Sequence, residues 1–326
     1  MKAILYTEYG SPDVLRLTEI EKPTPKEGEV LVKVHTASAN PLDWHLMRGA
    51  PFLARLDGGL RKPKNHALGA DFSGVVEAVG AGVTEFKAGD AVFGSNGIGT
   101  LGAFADYICV QERFVVPKPA NISFEQGAGV GVAALTALQG LRDYSKIQAG
   151  EKVLINGASG GVGSFSVQIA KAYGAEVTGV CSTRNVELVR GLGADHVIDY
   201  TKGNFADNGA HYDLIFDTVG NLTIADCRRA LLPNGRAIIA GFQNLPHLFR
   251  VMLIEKLIGG GAKQKVSQMG TATTNKQDLL IIKDMLESGK ITTLIDKSYP
   301  LTQTAEAIRY LETGRARGKV LVAVGG

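Results

Sequence analysis

The stretch that decides the fold is Val153-Leu-Ile-Asn-Gly-Ala-Ser-Gly-Gly-Val-Gly163, where an apolar run leads into closely spaced glycines. A helical pattern over Val162–Tyr173 follows it, and a second apolar run covers Glu176–Cys181. Small residues let backbone amides approach a pyrophosphate, and the start of the following helix favours its negative charge. This context predicts a dinucleotide-binding turn, with a merely structural glycine-rich turn as the alternative. The expected pyrophosphate contacts are Ser159, Gly160, Gly161, Val162 and Gly163.

Outward from this turn, apolar strand-like runs alternate with helical patterns. Such alternation predicts a parallel sheet covered by helices on both faces, and about six strands are typical of a doubly wound dinucleotide fold. The predicted strands of this region are Lys152–Ile155, Glu176–Cys181, Val197–Asp199, Leu214–Phe216, Arg236–Ala240 and Lys265–Ser267.

The chain before and after this region has a different pattern of predicted strands and helices. Up to about residue 120, short strands and glycine-containing turns indicate a compact β-barrel-like domain. The final 55 or so residues contain two helical patterns and a strand at Lys319–Val324, which we expect to return to the first domain. The predicted divisions are therefore residues 1–121, 122–270 and 271–326.

The end of the second predicted strand reports on the dinucleotide. NAD-binding domains usually place a carboxylate there for the ribose hydroxyls, whereas this chain has Ser182, Thr183 and Arg184 in that stretch. These side chains are suited to a 2′-phosphate, with which a guanidinium forms charge-assisted hydrogen bonds. The stretch therefore predicts NADPH rather than NADH. The alternative is that Arg184 simply faces solvent near a helix start.

Composition excludes several other classes of protein. The net charge is +3 without runs of like charge, which gives no footprint for nucleic acid or an anionic membrane. The three cysteines are far apart and form neither a disulfide framework nor a zinc cluster. No stretch is long and apolar enough for a membrane span. We expect a soluble cytoplasmic enzyme.

Six motifs give the whole chain a resemblance to one family. The sequence resembles the medium-chain dehydrogenase/reductase superfamily, in its zinc-independent quinone oxidoreductase branch. This resemblance implies an α/β protein in which a GroES-like β-barrel catalytic domain is joined to a Rossmann domain with a doubly wound parallel sheet. Dimerisation is common in the family. The motifs are Asn40–Trp44, Gly69–Val76, Phe86–Asp90, Ala133–Ala137, Gly157–Gly163 and Leu192–Asp195.

Two of these motifs bear on zinc. Relatives that bind catalytic zinc carry Cys where this chain has Asn40, and Gly-His-Glu where it has Gly69-Ala-Asp71. Asn40 and Ala70 are poor zinc ligands, and a catalytic site needs about three protein ligands. We therefore predict no metal. Hydride addition to a conjugated carbonyl spreads charge onto the carbonyl oxygen, for which hydrogen-bond donors suffice.

The segment that matches the family's substrate-side loop supplies candidate catalytic residues. Asn40 could donate through its amide, and His45 could donate a proton near neutral pH. Asp43 either takes part in the site or orients a ribose or the loop backbone. In similar relatives a Lys commonly follows the tryptophan that corresponds to Trp44, so His45 departs from the pattern.

Positions matched to the family suggest further cofactor contacts, each with a purely structural role as its alternative. They are Thr136, Tyr200, Asp217, Gly241, Phe242 and Lys319.

The leading functional hypothesis is a zinc-independent, NADPH-dependent oxidoreductase that transfers hydride to a small-molecule quinone or α,β-unsaturated carbonyl. The alternative is an NADPH-binding structural or redox-sensing protein with little turnover.

Overall fold

The chain folds as two compact units. The computed structural model describes residues 1–52, 54–97, 100–241 and 263–325. One unit combines Met1–Leu135 with Thr273–Gly326, and the other is Thr136–Ala272. The predicted division between residues 121 and 122 falls inside the first unit, because a helix at Phe124–Ala128 packs on the sheet of that unit.

The second unit is built on a six-stranded parallel sheet, in which the strands that begin at His196, Glu176, Lys152, Tyr212, Leu231 and Lys265 lie side by side in that order. Numbered along the chain this order is 3-2-1-4-5-6, the arrangement of doubly wound dinucleotide-binding sheets. The strands are β8 (Lys152–Asn156), β9 (Glu176–Cys181), β10 (His196–Asp199), β11 (Tyr212–Asp217), β12 (Leu231–Ile239) and β13 (Lys265–Gln268). The helices are α5 (Gly161–Ala172), α6 (Val186–Gly191) and α7 (Ile224–Ala230).

Apolar strands explain this sheet. Leu154, Ile215 and Ala237 lie on three neighbouring strands, are fully buried and share one core cluster. Strands that are apolar along their whole length need cover on both faces, and α5 packs on β8 and β9 while α7 packs on β12 and β13. Each predicted strand of this region is present within a few residues of its predicted bounds.

The first unit contains a largely antiparallel sheet. Its strands that begin at Ile295, Lys319, Glu29, Asp71, Ala91 and Val115 lie side by side in that order. The strand from Tyr107 also pairs with the strand from Glu29, and the strands from Lys2 and Arg16 form a separate antiparallel pair. The strands are β1 (Lys2–Leu5), β2 (Arg16–Glu19), β3 (Glu29–Ala39), β4 (Asp71–Val79), β5 (Ala91–Ser95), β6 (Tyr107–Gln111), β7 (Val115–Pro117), β14 (Ile295–Pro300) and β15 (Lys319–Ala323). The helices are α1 (Pro41–Arg48), α2 (Ala54–Gly58), α3 (Phe124–Ala128), α4 (Gly131–Gln139, which leads into the second unit), α8 (Lys276–Glu287) and α9 (Thr304–Glu312).

The late strand β15 lies inside this sheet, parallel to β14 and antiparallel to β3. Val320 and Val322 on β15 are fully buried in the same core cluster as Val32 and Phe72. Residues 273–325 thus complete the sheet that residues 1–135 begin.

Among the described residues, no helix is long and apolar enough to cross a membrane.

Candidate functional site

The glycine-rich turn lies where β8 ends and α5 begins. Gly157 has a left-handed φ of 79°, and Gly160 caps α5 without a side-chain hydrogen bond. A Cβ on Gly163 would lie 2.0 Å from the Gly157 carbonyl oxygen, so only glycine allows this close approach. No acidic residue occupies the first turn of α5. The amides and dipole of this helix start are therefore available to an anion, which fits a pyrophosphate.

Asp217 organises the neighbouring turn after β11. Its fully buried carboxylate accepts hydrogen bonds from the backbone N–H groups of Val219, Gly220 and Leu222, at 2.9–3.1 Å. The Asn156 side-chain amide donates to it at 2.8 Å. Asp217, which the sequence predicts as a cofactor contact, therefore uses its carboxylate to stabilise this turn.

This turn packs closely on the glycine-rich turn. A Cβ on Gly157 would lie 2.7 Å from Thr218 Oγ1 and 2.6 Å from Val219 Cγ2. A Cβ on Gly241 would lie 2.8 Å from the Thr218 carbonyl oxygen. The structure thus gathers Gly157, Thr218 and Gly241 at the carboxyl ends of β8, β11 and β12, where sheets of this order bind ligands. The predicted contact Phe242 lies outside the described residues.

Asn185 connects the glycine-rich turn to the end of β9. Its side-chain amide donates to Ser159 Oγ at 2.9 Å and to Ser182 Oγ at 3.3 Å, and the residue is 5% exposed. Sequence reasoning missed Asn185, since an asparagine ahead of a helix has many uses. Its position next to Ser182–Arg184 was the available signal.

A carboxylate lies beside the end of β9, although the stretch Gly179–Asn185 itself contains none. It comes from β10: Asp199 Oδ2 accepts a hydrogen bond of 2.6 Å from Thr183 Oγ1. The parallel register pairs Asp199 with Cys181, so the two strands end side by side. Sequence reasoning considered only the second strand and therefore missed Asp199.

Two further predicted cofactor contacts differ in exposure. Tyr200, which follows Asp199, is 61% exposed, and Thr136 is half-buried in α4.

Asn40 lies in the first unit with both ends of its amide engaged. Its Nδ2 donates to Asp71 Oδ2 at 2.9 Å and to the Ser38 carbonyl oxygen at 3.3 Å. Its Oδ1 accepts from Lys319 Nζ at 2.6 Å, and only 1% of the residue is exposed. In this arrangement both N–H bonds of the amide are used, which differs from the predicted donation to a substrate.

Lys319 and Asp71 form the centre of this buried polar cluster. Lys319 Nζ lies 3.6 Å from Asp71 Oδ2, and the two side chains are 4% and 0% exposed. Asp71 also accepts from the hydroxyls of Ser38 and Ser95 and from the backbone N–H of Val132. Burial lowers the pKa of Lys319, while the Asp71 charge opposes that shift. The sequence predicts Lys319 as a cofactor contact, whereas in the structure its ammonium pairs with Asp71 and Asn40 inside the first unit.

Asp43 is also buried, and it holds the start of α1. Its Oδ2 accepts from the backbone N–H of Asn40 at 2.7 Å, and its Oδ1 accepts from that of Gly69 at 2.8 Å. Burial raises the pKa of Asp43 to about 7, although both hydrogen bonds act to lower it. This geometry favours the structural alternative among the roles considered for Asp43.

His45 follows on the same helix and is half-buried, with its ring stacked on Trp44. Its Nδ1 lies 2.8 Å from the Ala50 carbonyl oxygen, so Nδ1 carries a proton. Burial lowers the pKa of His45. The neutral form with Nδ1–H is therefore favoured at neutral pH, and its Nε2 is an acceptor rather than the predicted proton donor.

Comparison with known proteins shows the family. Residues 26–120 match the alcohol dehydrogenase GroES-like domain, and residues 192–322 match the zinc-binding dehydrogenase model. The chain is 35% identical over 333 residues to 2-methylene-furan-3-one reductase of Solanum lycopersicum, covering 99% of this chain and 79% of the relative. It is 36% identical over 333 residues, with the same coverage, to NADPH-dependent alkenal/one oxidoreductase, chloroplastic, of Arabidopsis thaliana.

A solved structure agrees with these relatives. The quinone oxidoreductase from Coxiella burnetii superposes with a TM-score of 0.86 at 29% identity, covering 100% of this chain and 99% of that one. The chain therefore belongs to the quinone oxidoreductase-like branch of the medium-chain dehydrogenase/reductase superfamily, and it is an oxidoreductase. The predicted fold class is confirmed: a GroES-like domain and a Rossmann domain.

One matched model carries zinc in its name, but the residues around Asn40 do not fit a zinc ion. Asn40 and Ala70 lack zinc-binding chemistry, and the carboxylate of Asp71 is already surrounded by donors and by the Lys319 ammonium. Within the ranges that the structure describes, no group of three or more His, Cys, Asp or Glu side chains is arranged to hold a metal.

Proposed function

We propose that this chain is a zinc-independent, NADPH-dependent reductase of quinones or α,β-unsaturated carbonyls. The observation that carries the proposal is the start of α5, where the cap residue Gly160 has no side chain to bond the helix amides, an arrangement that fits a dinucleotide pyrophosphate. The named activities of the relatives in tomato and Arabidopsis support the acceptor class and the choice of NADPH.

Different residues of the Rossmann domain bind different parts of NADPH. The backbone amides of Ser159, Gly161, Val162 and Gly163 bind the pyrophosphate, and the Arg184 guanidinium pairs with the 2′-phosphate. Gly160 allows the close approach, while its own N–H donates to the Gly157 carbonyl oxygen at 2.9 Å. Asp217 sets the turn that packs on Gly157, and Asn185 fixes the hydroxyls of Ser159 and Ser182. When bound, NADPH supplies the hydride. Thr136, Tyr200, Gly241 and Phe242 stay proposed contacts.

The acceptor class follows from the charge that must be stabilised. Reduction of a simple ketone concentrates negative charge on one oxygen, which usually needs a metal or a strong proton donor. In a conjugated acceptor the charge is delocalised, so ordinary hydrogen bonds suffice. Asn40 and Ala70 lack zinc-binding chemistry, and Asp71 is bonded to Asn40 and paired with Lys319, which favours the conjugated acceptor.

Steady-state kinetics with the purified full chain test this proposal. NADPH absorbance is followed with a benzoquinone, a 2-alkenal and a simple saturated ketone, each with and without a strong zinc chelator. We expect turnover of the quinone or the alkenal, negligible turnover of the ketone, and no effect of the chelator. Failure to reduce any member of a broad quinone and enal panel would contradict the proposal, and so would loss of activity on chelation.

A second function is favoured by one observation. Asn40 and Asp43, both expected in catalysis, are buried and hydrogen-bonded within the first unit. An NADPH-binding structural or redox-sensing protein would combine tight NADPH binding with negligible turnover. Calorimetric titration of NADPH beside the kinetic panel separates the two functions.

The cytoplasmic location and the dimerisation of this protein stay predictions.

A further inference from the structure

The carboxylate of Asp199 lies beside the Ser182–Arg184 stretch, which we propose binds the 2′-phosphate of NADPH. Asp199 Oδ2 is 2.6 Å from Thr183 Oγ1, which also lies 2.9 Å from Thr201 Oγ1. Asp199 Oδ1 accepts from the backbone N–H of Thr201 at 3.0 Å and from its hydroxyl at 2.7 Å. These bonds hold the carboxylate against the Ser182–Arg184 stretch.

Asp199 is an anion in this setting. Hydrogen bonds from Thr183 and Thr201 keep the pKa of Asp199 below its ordinary value. Lys202 Nζ lies 3.7 Å from Oδ2, on a side chain that is 73% exposed. Such a solvated partner screens the charge only in part. The cofactor pocket proposed above therefore combines the Arg184 cation with a fixed anion.

Carboxylates and phosphates make opposite demands at this position. A carboxylate accepts hydrogen bonds from the ribose hydroxyls of NAD, whereas it repels the two negative charges of a 2′-phosphate. The hydroxyl of Thr183 is also occupied, because it donates to Asp199 and so has no proton left for a phosphate oxygen.

We propose that Asp199 is a specificity-determining residue that weakens the preference for NADPH over NADH, an inference that rests on the proposed cofactor site. Arg184 attracts the 2′-phosphate while Asp199 repels it and holds Thr183 away from it. The native chain therefore binds both dinucleotides, and its discrimination between them is smaller than Arg184 alone would give.

Calorimetric titration of the full chain with NADP⁺ and with NAD⁺ tests this. Asp199→Asn removes the charge and keeps an oxygen for the hydrogen bond from Thr183. We expect it to raise the preference for NADP⁺ over NAD⁺ about tenfold at low salt, and by less at high salt. Asp199→Glu keeps the charge and should retain the native ratio within about twofold.

Glu176→Gln is the matched control. Glu176 is another carboxylate of the same strand pair, located where β9 starts and bonded to His196. Its neutralisation should leave the ratio unchanged. An unchanged or lowered ratio in Asp199→Asn overturns the proposal, and so does an equal rise in Glu176→Gln. Because binding needs no acceptor, NADP⁺ binding without turnover would contradict the proposed reductase while leaving this test intact.

Discussion

Asp43 shows how one buried residue couples the fold to pH. Its pKa is raised from 3.8 to about 7 by burial, so folding favours the protonated carboxyl. Its contribution to stability is therefore fully present below about pH 4 and is lost as the pH rises through 7. Asp43→Asn should remove this loss, and it should lower the free energy of unfolding by about 1–3 kcal/mol because one backbone N–H loses its acceptor.

Urea unfolding of both proteins at several pH values between those limits measures this effect. The difference between native chain and variant should shrink as the pH rises. Parallel curves would contradict the buried, proton-binding role of Asp43. Glu187→Gln is the control, since that glutamate side chain is 82% exposed.

Arg184 is the residue on which the choice of NADPH depends. Arg184→Ala should raise the KM for NADPH by about tenfold or more, since a charge-assisted hydrogen bond contributes about 1.5–3 kcal/mol. The KM for NADH should stay within about twofold. Arg190→Ala, on the following helix, removes an exposed arginine that pairs with Glu187 and serves as the control. Equal effects on both cofactors would place Arg184 away from the 2′-phosphate.

At the scale of elements, the start of α5 packs closely on the turn after β8 because Gly163 has no side chain. Gly163→Ala would place a Cβ 2.0 Å from the Gly157 carbonyl oxygen, so the turn must open. We expect weaker NADPH binding by about tenfold or more and a lower melting temperature. Gly191→Ala, in α6, meets nothing within 4 Å and should be neutral or stabilising by up to about 1 kcal/mol. Similar behaviour of the two variants would refute this account of the turn.

The elements also show what sequence can and cannot predict here. Apolar runs such as Glu176–Cys181 identify the strands because each parallel strand is buried on both sides. The segment that matches the family's substrate-side loop forms the helix α1 (Pro41–Arg48), which the sequence does not predict because a proline followed by only two turns gives a weak helical pattern. Its start is fixed by Asp43, whose second partner is Gly69, 26 residues away. Such a distant partner leaves no local signal.

At the scale of the whole molecule, Lys319 ties the two chain segments of the first unit together. It bonds Asn40 across 279 residues, a contact that no sequence pattern encodes. Lys319→Met should lower the free energy of unfolding by about 3–5 kcal/mol because Asp71 then remains as a buried charge without its cation. Adding Asp71→Asn should restore part of that loss. Lys265→Met, at the start of β13, removes an exposed lysine as the control.

Denaturant unfolding and NADPH titration of these variants together distinguish two roles for Lys319. Loss of stability with rescue by the second substitution supports the buried pair. Native stability with loss of NADPH affinity would support the cofactor contact first predicted from the sequence.

The place of β15 between β14 and β3 also has a consequence for biosynthesis. At about 5–20 residues per second, a ribosome needs roughly fifteen to sixty seconds between β3 and β15. Meanwhile the uninterrupted segment 136–272 can acquire its structure first, although it is made second. Glu29–Lys33 of β3 can pair with β6 early, but Thr36–Ala39 stay without their partner strand until β15 is made. Such unpaired edges recruit other strands. The interval before β15 is made is therefore the time when this part of the sheet is most exposed to pairing with other chains.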